Sequence, residues 1–192
     1  MPEIEYVEDR MESEELLERL CPPVRNWFKD KFPDFTEPQK VAIPRILNGE
    51  HLLLCSPTGS GKTLTAFLTI IDDLVRRSLD GSLPDAVQCV YISPIKALAN
   101  DIEKNLMGPL GEIKERYLPS RAKEIKVGLR TGDTPQSERE KMLRKPPHIL
   151  ITTPESLGLG LASKRFRPIL DQMKWFIIDE MHSLVPTKRG TH

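Results

Sequence analysis

Two short strings in the sequence combine residue types and spacing that could do chemistry. The first is Ser56-Pro57-Thr58-Gly59-Ser60-Gly61-Lys62-Thr63. It follows an apolar run at residues 51–55. It precedes a segment in which Leu64, Phe67, Leu68, Ile71, Leu74 and Val75 recur at the spacing of an amphipathic helix, with Asp72, Asp73, Arg76 and Arg77 assigned to the other face. Strand, glycine-bearing loop and helix start, in that order, make a cradle for phosphate. Backbone N–H groups converge at the helix N-terminus, and glycine lets the main chain approach without a Cβ in the way. In such a loop the Lys62 ammonium reaches the β- and γ-phosphates of a nucleotide, and the Thr63 hydroxyl ligates Mg2+. The strict pattern asks for glycine at position 56, where this chain has the small residue Ser56.

The second string is Trp175-Phe176-Ile177-Ile178-Asp179-Glu180, an apolar run that delivers two carboxylates at its C-terminal end. Open α/β sheets place their ligands there. Asp179 would hold Mg2+ opposite Thr63, through water, while Glu180 would orient and deprotonate an attacking water. The same pair could instead be the acidic start of a helix. A phosphate loop upstream favours the catalytic reading.

Such groups need a rigid frame. Apolar, β-branched runs recur at residues 51–55, 87–92, 125–129, 148–151 and 175–178, with helical patterns between them. Ser93-Pro94, Thr134-Pro135 and Thr153-Pro154 each offer a cap residue followed by a first-turn proline, and Ile95, Leu98, Ile102 and Leu106 continue the first of these helices. Alternation of strand and helix predicts a parallel sheet covered by helices on both faces.

Composition bounds the rest. Twenty-eight basic and 28 acidic side chains in 192 residues sum to zero, which removes any argument for nucleic-acid binding from a high isoelectric point. The zero is uneven: residues 1–40 carry a net −5 and residues 41–192 a net +5, with +6 concentrated in residues 112–167. Residues 12–20 read as an amphipathic helix with Leu16, Leu17 and Leu20 inward and its glutamates solvated. No long apolar run or basic leader is present, so a cytoplasmic protein with no membrane contact is expected. Cys21, Cys55 and Cys89 lack the spacing of a metal or redox motif. The apolar runs around Cys55 and Cys89 suggest buried thiols.

Taken in order, the motifs resemble those of superfamily 2 helicases of the DExH kind. Ser56 to Thr63 is similar to motif I and Asp179-Glu180-Met181-His182 to motif II. Ser93-Pro94-Ile95-Lys96-Ala97-Leu98-Ala99-Asn100-Asp101 resembles motif Ia, Thr131-Gly132-Asp133-Thr134 motif Ib, and Thr152-Thr153-Pro154-Glu155-Ser156-Leu157 motif Ic. Phe35-Thr36-Glu37-Pro38-Gln39 resembles the adenine-reading Q motif. The wording of several strings, with Lys188-Arg189-Gly190 after motif II, is most similar to the Lhr (large helicase-related) and Ski2-like groups.

The resemblance implies a RecA-like P-loop NTPase fold over residues 28–192, the first of two motor halves, after an acidic helical extension at residues 1–27. It implies ATP and Mg2+ as cofactors and single-stranded DNA or RNA as partner. Gln39 carries the amide for a bidentate contact to adenine, as in protein readout of DNA, and Thr36 belongs to the same motif. A solvent-exposed glutamine opening a helix is the plainer alternative. Phe35 or Phe32 would stack on the base or sit in the core. Pro94, Ile95, Lys96, Thr131, Gly132, Thr134, Thr153 and Pro154 would line the strand track through amides, hydroxyls and charge, with Arg130 adding charge nearby. N-cap duty is the competing role for each threonine. His182 would couple nucleotide state to the track. The motor also needs a second RecA-like half bearing arginine fingers, and no string of that kind follows motif II here. The expectation is a first half that binds nucleotide and hydrolyses it slowly alone. A nucleotide-gated clamp or remodeller would use the same motifs.

Overall fold

The computed structural model describes residues 6–7, 9–57, 59–94 and 102–181. Thr58, Ile95, Lys96 and His182, named above, lie outside the described residues. Contacts divide the chain into two compact units, Met1–Arg76 with Asn105–Ser120, and Arg77–Lys104 with Arg121–His192.

The first unit is helical. It contains α1 (Ser13–Arg19), α2 (Pro22–Lys31), α3 (Glu37–Leu47), the part of α4 (Lys62–Asp80) up to residue 76, and α5 (Gly108–Tyr117). The apolar stripe predicted for α4 is buried, as are Leu16 and Leu20 of the acidic N-terminal segment, followed in α2 by Val24, Trp27 and Phe28. Burying each such side chain stabilises by about 1.5–3 kcal/mol, so α1 and α2 are anchored by their apolar faces while the α1 glutamates remain in water. Trp27 Nε1 and Lys31 Nζ donate to the two carboxylate oxygens of Glu112 on α5, at 2.6 and 2.8 Å. Those two donors hold the Glu112 carboxyl below its usual range.

Asp72 departs from its expected solvent face. It is 1% exposed, accepts the Cys21 N–H at 2.6 Å and accepts Arg76 Nε at 2.7 Å. The carboxylate thereby serves the start of α2, where no side chain of that helix does so. Burial with Asp72 alongside pushes the Cys21 thiol up to about 12.

The second unit holds the sheet: β1 (Cys89–Ile92), β2 (Val127–Arg130), β3 (Ile149–Thr152) and β4 (Trp175–Ile178). The strands pair in the order β2-β3-β1-β4, all parallel. The inner strands β1 and β3 are buried at every position, and the edge strands β2 and β4 only in part. On one face Val90, Ile92 and Leu150 pack with Leu157 of α7 (Pro154–Leu161), Phe166 and Ile169. Met142 and Leu143 of α6 (Gln136–Arg144) close over that cluster. Gly160 on α7 is there for space: a Cβ would lie 2.8 Å from the Phe166 ring.

The run at residues 51–55 is the exception among the predicted strands. It carries no ladder, Leu53 is 67% exposed, and Cys55 is exposed rather than buried. An apolar run states a side-chain preference, whereas a strand also needs a partner backbone. Among the described residues no helix is long and apolar enough to cross a membrane.

Candidate active site

The phosphate loop sits in the helical unit and is built against the start of α3. Thr36 precedes α3, and Gln39 folds its amide back so that Oε1 accepts the Thr36 N–H at 2.9 Å. That leaves the Thr36 hydroxyl to donate to the Ser60 carbonyl at 2.9 Å, across to the loop. Gly61 adopts φ +86°, and a Cβ there would meet Gln39 Nε2 at 2.9 Å. Gly59 is also left-handed, at φ +82°. An L side chain is strained at both positions, by about 1–2 kcal/mol each, which is why the loop needs glycine at these two places.

The loop opens directly into α4, a helix of 19 residues with no acidic residue in its first turn. Its first-turn N–H groups and positive dipole end are therefore not neutralised by a carboxylate of that turn. Lys62 arches back and donates to the carbonyls of Ser56 and of Pro57, the latter at 2.8 Å. Ser56, in the position where glycine is usual, donates its hydroxyl to Ser60 Oγ at 2.5 Å. Thr65 Oγ1 donates to the Gly61 carbonyl at 2.8 Å. A loop of two left-handed glycines at an acid-free helix start, with an ammonium parked on carbonyls, has the shape and charge that polyphosphate requires.

In this structure Gln39 is 3% exposed and its side-chain carbonyl oxygen holds the Thr36 N–H, so its amide braces the turn that opens α3. Phe35 is a core side chain, stacked on Phe28 at 4.0 Å between centroids and 4% exposed. Phe32, 36% exposed, packs edge-on to Trp27.

The carboxylates sit in the sheet unit. The register places Ile178, Ile92, Thr152 and Arg130 side by side at the C-terminal ends of the four strands. Asp179-Glu180, Ser93-Pro94, Thr153-Pro154 and Thr131-Gly132 thus leave the sheet along one edge. Neighbouring strands are about 4.8 Å apart, so the three candidate track segments lie in adjacent lanes with the acid pair beside them. Asp179 N–H donates to the Ile92 carbonyl at 2.8 Å, carrying the β1–β4 pairing one residue past the strand. Its Oδ1 accepts the Glu180 N–H at 2.8 Å, and its Oδ2 accepts the Tyr91 hydroxyl. Glu180 has φ +51°, the one left-handed backbone at a non-glycine among the described residues. Strain of this kind costs about 1–3 kcal/mol and clusters at functional sites.

Among the described residues no group of three or more His, Cys, Asp or Glu forms a metal cage. Mg2+ takes hard oxygen donors, one or two carboxylates with phosphate and water completing the shell. In the sheet unit the half-buried Asp179 carboxylate is a hard oxygen donor, and in the helical unit, taken by itself, the half-buried Thr63 hydroxyl is another.

Along the same edge the threonines face inward. Thr153 caps α7, accepting the Ser156 N–H at 3.4 Å, with Pro154 in the first turn. Thr134, expected to open the next helix, instead accepts the Thr131 N–H at 2.8 Å inside the turn, and α6 begins after Pro135. Arg139 was not anticipated from the sequence. Its guanidinium donates to the carbonyls of Thr134, Thr131 and Gly132 at 2.9, 3.1 and 2.8 Å. A charged fork on three carbonyls fixes the turn and keeps its carbonyls inward. Gly132 stays exposed, with Thr131 and Pro94 half-buried. Arg130 does not display its charge: it is 9% exposed, its guanidinium 4.3 Å above the Phe166 ring, and burial together with nearby Arg139 lowers its pKa. The Tyr91 hydroxyl was missed too; the one available signal was a phenol in an otherwise apolar strand run.

With this geometry in hand, comparison with known proteins is direct. A family profile described as DEAD/DEAH box helicase matches residues 36–192. The chain is 47% identical over 194 residues to the ATP-dependent helicase Lhr-Core of Methanocaldococcus jannaschii, covering 100% of this chain and 23% of that protein. Among solved structures, the Mycobacterium smegmatis helicase Lhr bound to ssDNA and AMP-PNP superposes with a TM-score of 0.79 at 44% identity, over 92% of this chain and 22% of that one. Mss116p, at 22% identity and a TM-score of 0.74 over 97% of this chain and 36% of that one, shares the RecA-like fold. The chain thus spans about a fifth of the length of the curated relatives it matches. Because the profile runs from the Thr36 turn through the phosphate loop to the acid pair after β4, the chain belongs to the DEAD/DEAH box helicase family.

Proposed function

We propose that this chain is the ATP-binding half of a nucleic-acid motor of the Lhr kind, operating in the cytoplasm with a second RecA-like half and turning ATP over slowly by itself. The observation that carries the reading is the phosphate loop: two left-handed glycines at the acid-free start of α4, tied through Thr36 and Gln39 to the start of α3. The bound nucleotide in the M. smegmatis Lhr structure supports it.

In this proposal the Lys62 ammonium leaves the carbonyls of Ser56 and Pro57 for the β- and γ-phosphates, while Ser60, Gly61 and Thr63 present N–H groups to them. Thr63 and Asp179 would hold Mg2+, which would supply charge neutralisation at the phosphate oxygens. Glu180 orients water and takes its proton. Gln39 meets adenine by giving up its bond to the Thr36 N–H, which makes nucleotide binding and the turn that opens α3 compete for one amide. His182 links this chemistry to the strand. At the strand edge, the exposed Gly132 and the segment starts at Pro94, Thr131 and Pro154 receive the phosphates of a single strand, with Thr134 and Thr153 holding the turns that present them. Sequence-independent contact of this kind serves a motor that must move along its track.

Binding of a labelled single strand, followed by anisotropy over a salt series, tests the edge. Affinity is expected to fall as salt rises, because neutralised phosphates release counterions. Arg139→Ala should weaken binding about tenfold at fixed salt by freeing the turn carbonyls, the loss of one charge-assisted bond's worth of order. A flat salt response, or an Arg139→Ala protein that binds as wild type, would remove this edge from the account.

A further inference from the structure

Tyr91 is 2% exposed and lies on the inner strand β1, in register with Ile177 of β4. Asp179 is two residues beyond Ile177 and so points to the same side of the sheet, roughly 6.6 Å further along it. A phenol leaning along its strand spans that distance, and the Tyr91 hydroxyl donates to Asp179 Oδ2. The ring alone would satisfy packing at this position as phenylalanine. A buried hydroxyl carries a desolvation cost unless it is used in a hydrogen bond, and here it is spent on the carboxylate at the end of the neighbouring strand.

The consequence for Asp179 is that both oxygens are fixed, Oδ1 by the Glu180 N–H at 2.8 Å and Oδ2 by Tyr91. A carboxylate oxygen has two lone-pair sites, so each keeps one for a cation or its water. The side chain is then held in one orientation before any ligand arrives. Removing an outer partner that orients a metal-binding carboxylate typically costs about 10–100-fold in metal affinity.

We propose that Tyr91 is a positioning residue for Asp179, holding the carboxylate in the orientation in which it meets the Mg2+ of bound nucleotide. This rests on the reading of Asp179 as the metal carboxylate. In this proposal Tyr91 acts on the metal through its hydrogen bond to Asp179.

The test is a Mg2+ titration of the binding of a fluorescent ATP analogue to wild type, Tyr91→Phe and Asp179→Asn, with thermal melting of each. Tyr91→Phe keeps the ring and is expected to melt near wild type and to bind the analogue equally in EDTA. Its Mg2+ midpoint should rise about tenfold. Asp179→Asn should abolish the Mg2+ response. If Tyr91→Phe shows the wild-type midpoint while Asp179→Asn shifts it, the positioning role is overturned and the metal reading stands. If neither variant moves the midpoint, Asp179 is not the metal carboxylate and the proposal falls with it.

Discussion

Glu180→Gln is expected to lower ATP turnover by about 10²–10⁴-fold in a protein that carries both motor halves, while ATP affinity changes by less than about twofold. The loss is that of a general base in a reaction whose nucleophile is water, worth roughly that factor, or about 2.7–5.4 kcal/mol of barrier. Glutamine has the same reach and keeps the left-handed backbone at φ +51°. The hydrogen bond to Asp179 Oδ1 comes from the main-chain N–H and survives the change. The loop proposed to hold nucleotide opens α4, in a different compact unit, so binding and hydrolysis should separate cleanly. Phosphate release at saturating ATP, together with a binding titration, measures both. Turnover within tenfold of wild type would take Glu180 out of this role.

The second large effect belongs to Lys62→Ala. The ammonium now resting on the Ser56 and Pro57 carbonyls is the one cation in the described part of the loop. A charged hydrogen bond is worth about 1.5–3 kcal/mol, so ATP and ADP affinity should drop about 10–150-fold, with adenosine binding unaffected because it has no phosphate to lose. Alanine is well tolerated at a helix start, and the Ser56–Ser60 and Thr65–Gly61 bonds that shape the loop do not involve Lys62. Calorimetry with ATP and adenosine, supported by an unchanged melting curve, separates loss of phosphate affinity from loss of fold. Equal ATP affinity in the variant would refute the loop assignment.

Local structure was legible in the sequence wherever it depended on short-range order. The loop string, the amphipathic stripe of α4, the Thr153-Pro154 start of α7 and four of the five strand runs all follow from spacing within a few residues. Asp72 shows how such reading fails. It stands four residues after Leu68, on the apolar stripe, and only its charge argued for the solvent face. The structure resolves the conflict by giving the carboxylate the Cys21 N–H, 51 residues away in sequence. Tyr91 and Asp179 are 88 residues apart, and no periodicity joins them; the parallel register of β1 and β4 does. Arg139 is hidden for a different reason: its partners are carbonyls, which every residue has, so the sequence carries no mark of them. The run at 51–55 erred in the opposite direction, since its composition states a preference for strand without naming a neighbour.

Gln39 and Arg130 sharpen the general point. Both residue types suit the roles their motifs suggest, yet in this structure each side chain is engaged at home, the amide on Thr36 and the guanidinium over Phe166. Residue type names a capacity; burial and present partners state what must be given up before that capacity is used.

The central claim, that this chain is a nucleotide-binding half-motor, is tested most directly by titrating ATP with Mg2+ into residues 1–192 and following phosphate release with and without a single strand. Saturable one-to-one binding is expected, with slow turnover that the strand does not raise. Absence of saturable ATP binding would contradict the phosphate loop, and robust strand-stimulated turnover by residues 1–192 alone would contradict the need for a second half.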